Sequence, residues 1–136
     1  MNRHPYLRAY MAGIVVPTLV VLVGVVVFSI ARYAYNFPVP IERLMIFPMT
    51  VVPNLWGLWN IVFLASHART HLSIGVHGAL LPLLLGPLGL LLMHALNFQI
   101  PGFLSALPIL GLVALTVYYL VWKYAVNFLN GVLGIA

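Results

Sequence analysis

Apolar residues fill this chain in blocks, separated by single charges and by short polar or proline-bearing stretches. The first block, Ala9 to Ala31, runs 23 residues without a charge. About 20 apolar residues in a helix cross the roughly 30 Å hydrocarbon core of a bilayer. Between Arg43 and Arg69 lie 25 uncharged residues, and between Arg69 and Lys123 lie 53. One helix over that last stretch would be about 80 Å long at about 1.5 Å per residue, so the stretch must turn. Asn97-Phe98-Gln99-Ile100-Pro101-Gly102 is the polar, Pro- and Gly-bearing place to do so. The pattern therefore predicts four helices over roughly 9–35, 44–67, 72–96 and 104–129.

No run alternates apolar and polar residues as a membrane β-barrel strand would. Eight valines between Val15 and Val27 would favour strand in water. In lipid the backbone must satisfy its own hydrogen bonds, and that requirement selects helix. The connections are short: Asn36–Arg43, stiffened by Pro38 and Pro40, then Ser66–His71, then the Asn97–Gly102 turn. Short connections make consecutive helices antiparallel neighbours. The expected fold is an all-α integral membrane protein. It forms one four-transmembrane-helix antiparallel (up-down-up-down) bundle over residues 1–136.

Composition agrees with that solvent. The chain holds six Lys plus Arg, one Glu and no Asp; it is 64% hydrophobic, with a mean hydropathy of +1.13. Soluble domains are about one-quarter charged, and disordered chains are charged and poor in aliphatics. Arg3 and Arg8 ahead of an apolar run, with Ser29-Ile30-Ala31 behind it, imitate a secretory signal. The apolar run is longer than such a signal needs and reads as the first transmembrane helix. An N-terminus inside places Arg3, Arg8, Arg69 and Lys123 inside and Arg32 and Arg43 outside. That asymmetry predicts both termini cytoplasmic, in a multi-pass protein of the cell inner (plasma) membrane. The tail from Asn127 to Ala136, broken by Asn130, Gly131 and Gly134, is expected at the interface beyond the last span.

Little in the chain suggests chemistry. The absence of Cys removes disulfides, thiolate metal sites and thiol nucleophiles. Glu42 is the only acidic side chain, and a local ion pair with Arg43 is its simplest account. Ser73 and His77 stand four apart but have no acidic third member. Coupled transport normally uses intramembrane carboxylates, and the predicted helices have none. The net charge of +5 is spread over both sides and makes no nucleic-acid patch.

Two helices carry features above that background. In the third, Gly75, Gly78, Pro82, Gly86 and Gly89 share a face where helices could approach closely, within the chain or in a homodimer. In the second, Pro53 crowds the carbonyl of Met49, and Asn54 could reach the freed group. Trp56, Asn60, Phe63, His67 and His71 then form one helical stripe. One reading is a polar binding recess bounded by Asn54, Trp56, Asn60 and His77; the other is that these amides only join helices. His67, His71 and His77 could hold Zn, Cu or a haem iron, though no carboxylate stands near to orient them. The expected protein is non-catalytic. It is a packing or accessory subunit of a membrane assembly, or a small oligomeric carrier or channel for an uncharged or anionic compound. The alternative is a His-ligated metal- or haem-binding membrane protein. Its expected partners are the lipid bilayer and either copies of itself or a larger membrane complex.

Overall fold

A computed structural model describes residues 3–39, 41–97 and 99–135. The first helix is Pro5–Tyr35, with proline in its first turn, where a missing amide costs nothing. The second runs as Ile41–Leu44, a π-helical turn Met45–Val51, and Val52–Thr70; the third is Ile74–Ala95. The fourth is Phe103–Val121, a π-helical turn Trp122–Val126, and Asn127–Val132. Among the described residues there is no strand. Pro5–Tyr35, Met49–Thr70, Ile74–Ala95 and Phe103–Val132 are each long and apolar enough to cross a membrane.

The first and second helices begin earlier than expected, at Pro5 and Ile41, and three further boundaries depart, each for a local reason. The second helix continues to Thr70 and stops because His71 adopts a left-handed conformation (φ 51°), its N–H donating to the His67 carbonyl at 3.1 Å. The third helix starts later, at Ile74, because the Ser73 hydroxyl accepts from the Val76 N–H at 3.4 Å and caps it. The tail placed at the interface is instead helical to Val132 and enters the core through Asn130, which is fully buried. The third turn includes Phe98, which lies outside the described residues.

Both π turns have structural consequences. Pro53 lacks an amide, and the backbone answers with the wider Met45–Val51 turn just before it. The Asn54 side-chain amide folds back on the Thr50 carbonyl, four residues earlier, at 2.6 Å rather than on Met49. In a regular α-helix, position i+8 stands about 80° round from i at 3.6 residues per turn. The π turn rotates less per residue, so Trp122, Val126 and Asn130 fall on one line, all fully buried.

The core gathers in one layer. Ala9, Ala12, Gly13 and Pro17 of the first helix meet Pro53, Trp56, Gly57 and Asn60 of the second. The backbones approach closely at Gly13, where an added Cβ would stand 2.6 Å from the Trp56 carbonyl oxygen. Across the layer, a Cβ on Gly75 would lie 2.9 Å from Tyr119, and one on Gly78 would lie 2.0 Å from Trp122. The glycine face read from the third helix is thus half right. Gly75 and Gly78 are contact points, whereas no atom of the described residues lies within 4 Å of a Cβ built on Gly86.

Glu42 finds a partner on the first helix. It accepts from the Arg32 guanidinium at 2.8 Å, closing the first connection, while the Arg43 side chain lies outside the described residues. Its own backbone N–H, then Arg32, hold the Glu42 carboxyl below its ordinary pKa. The pair is exposed and belongs among the weak surface contacts.

Candidate functional site

The polar groups of the core answer one another. Asn60, 1% exposed, donates to the Ala9 carbonyl at 2.7 Å and to Asn130 Oδ1 at 2.8 Å. Asn130 Nδ2 returns a bond to Asn60 Oδ1 at 3.2 Å. This amide pair ties the first, second and fourth helices at one point. A second reciprocal pair ties the second helix to the third. Trp59 Nε1 donates to the His77 carbonyl at 2.8 Å, and His77 Nε2 lies 3.0 Å from the Trp59 carbonyl. A carbonyl can only accept, so His77 Nε2 carries the proton. The two rings stack with centroids 4.8 Å apart.

Aromatic side chains surround these bonds. Trp56 is buried against Tyr118 (4.9 Å) and Trp122 (5.4 Å), and its Nε1 donates to the Tyr118 hydroxyl at 3.3 Å. Trp122 Nε1 is the buried side-chain polar atom left without a hydrogen-bond partner among the described residues. The Phe63 ring contacts both His67 (4.8 Å) and His77 (5.2 Å).

Of the four residues read as a recess, the structure brings Trp56, Asn60 and His77 into this layer as packed, bonded core. Asn54 sits apart on an exposed face, where its Oδ1 accepts from the Tyr10 hydroxyl. A pocket of about 260 Å³ opens there, lined by residues that include Tyr10, Thr18 and Asn54. The three histidines are also held separately. His67 Nδ1 faces the Leu72 carbonyl at 3.2 Å, His71 caps the second helix, and His77 is spent on Trp59. Among the described residues, no three His, Cys, Asp or Glu are placed to hold a metal ion.

Sequence reasoning missed Asn130, Trp59 and Tyr118. Asn130 had a legible signal, an amide within an apolar run, but the helix was expected to end one residue earlier. Trp59 and Tyr118 had none, because their partners are backbone or side-chain groups on other helices.

Away from the layer lies a larger space, a cleft of about 440 Å³ between the third and fourth helices with Phe47 of the second at its side. Gly86, Gly89 and Gly111 line it, as do leucines of both helices and the Tyr118 ring. No family model, no curated protein and no solved structure matches this chain.

Proposed function

We propose that the protein is a non-catalytic integral membrane subunit, an up-down-up-down antiparallel bundle that works by packing into an oligomer or a larger membrane assembly. The observation that carries this reading is Asn54. With Tyr10 and Thr18 it forms a polar patch within the two candidate spans Pro5–Tyr35 and Met49–Thr70, and Asn54 and Thr18 are exposed. A primary amide facing hydrocarbon is costly unless it is paired. The Tyr10 hydroxyl and the Thr50 carbonyl engage one acceptor site and one donor of that amide, and a neighbouring helix would engage the rest. The bonded state of Asn60 and His77 supports packing over a carrier lined by those groups. The separate anchoring of His67, His71 and His77 likewise gives a metal or haem centre little support.

The chain has no cysteine, so Thr18→Cys introduces a unique probe. In membranes this variant should form a disulfide-linked dimer or a crosslink to a larger partner, and Asn54→Leu in the same chain should weaken it several-fold. Native mass spectrometry from mild detergent should show the same association. A monomer in both assays, unchanged by Asn54→Leu, would overturn the reading.

The same reading places the protein in the inner (plasma) membrane with Arg3, Arg8, Arg69 and Lys123 on the cytoplasmic side. Reporter fusions at the two ends should both read cytoplasmic. A periplasmic signal from either end contradicts this orientation.

A further inference from the structure

Asn54 is engaged on one side only. A primary amide has two hydrogens to donate and an oxygen that accepts twice. Asn54 Nδ2 donates to the Thr50 carbonyl at 2.6 Å, and its Oδ1 accepts from the Tyr10 hydroxyl. One donor and one acceptor therefore have no partner among the described residues. Hydrocarbon offers neither. A second primary amide offers both, donating one bond and accepting one. Inside the bundle the chain already meets the same need in that way. Asn60 donates to Asn130 Oδ1 at 2.8 Å, and Asn130 Nδ2 returns a bond at 3.2 Å.

The second helix presents Asn54 on a narrow ridge. From Thr50 to Val62 its exposed residues are Thr50, Asn54, Leu58 and Val62, each four positions from the last. Residues spaced by four line up along a helix, and two such ridges pack crossed at about −50°. Contact then centres on the crossing point and fades within a turn or two. In lipid, depth decides which partner can answer an amide. A two-fold axis along the membrane normal sets the same patch of a second copy against the first, residue against like residue. With Asn54 at the crossing, the two amides share one depth by symmetry. The four ridge residues carry no charge, so like faces meet without repulsion.

We propose that the occupant of this face is a second copy of the chain, with the two Asn54 amides bonded reciprocally across a two-fold axis. This rests on the assignment of Asn54 as an assembly contact and names what it contacts. The chain has no cysteine, so Leu58→Cys, one turn from the crossing, gives a unique crosslink. Two differently tagged copies carrying it are co-expressed and oxidised in membranes. A product of twice the chain mass that carries both tags is expected. Ile109→Cys, exposed on the fourth helix, should give none. Asn54→Leu in one copy should lower the mixed product several-fold, and Asn54→Leu in both should lower it no further, because a lone amide has no mate. Independent contacts, or a misfolded variant, would act in two steps instead. Two equal steps, or a mixed product unchanged by Asn54→Leu, would overturn the amide pair. Equal product from Ile109→Cys would reduce the contact to chance encounter and overturn it too. A product with one tag and some other mass would give the face to a different protein, overturning the second copy while leaving assembly standing. No product, together with a monomeric native mass spectrum, would overturn both.

Discussion

Gly13→Leu is expected to part the first and second helices and to cause a large loss of stability. The obstacle is backbone. Even a methyl group on Gly13 would stand 2.6 Å from the Trp56 carbonyl oxygen and 2.9 Å from the Gly57 Cα, and neither can rotate away. Overpacking a rigid contact costs about 1–3 kcal/mol and sometimes more; with backbone on both sides, about 3 kcal/mol or more is expected. In lipid the loss is compounded, because helices there associate through close packing rather than through expulsion of water. The measurement is thermal or denaturant unfolding in mild detergent, with Gly86→Leu as the control. Gly86→Leu enters open space and should unfold within about 1 kcal/mol of the parent. Equal behaviour of the two variants would contradict the packing described.

Asn60→Leu should be the next most damaging change. It removes two donated bonds, at 2.7 and 2.8 Å, and leaves the Asn130 amide facing an alkyl chain in a fully buried position. Interhelical hydrogen bonds in membranes average about 0.6 kcal/mol. Orphaning a buried amide brings a further desolvation penalty, so a loss of about 1–3 kcal/mol is expected. The diagnostic is the double variant. Asn60→Leu with Asn130→Leu leaves no unpaired amide at that point and should recover part of the loss, giving a coupling energy of about 0.5 kcal/mol or more. Strict additivity would mean that the two amides do not meet.

Much of the architecture is legible along the chain, for a simple reason. Each span satisfies its own backbone, so helix formation in lipid depends on local composition and length. The uncharged runs, the Asn97–Gly102 turn and the prolines therefore mark four helices. Their ends are less legible, since His71, Ser73 and the tail beyond Asn127 are settled by one hydrogen bond or one burial event. The irregularity at Pro53 is legible, but the group that Asn54 bonds is not: its amide reaches the Thr50 carbonyl rather than that of Met49.

The candidate site divides in the same way. The sequence by itself determined which side chains are too polar to sit alone in hydrocarbon, namely Asn54, Asn60 and His77. Only the tertiary structure decided which of them are spent. Asn60 meets Asn130 seventy positions later, His77 meets Trp59 across a turn, and Asn54 is left on the outer face. The same division holds for the glycines. Spacing placed Gly78 and Gly86 on one face, but spacing is a property of one helix, whereas contact and vacancy are properties of two. Trp122 lies opposite Gly78 and, among the described residues, nothing lies opposite Gly86, because the fourth helix presents bulky aromatics at Tyr119 and Trp122 and a small residue, Gly111, along the cleft that Gly86 also lines.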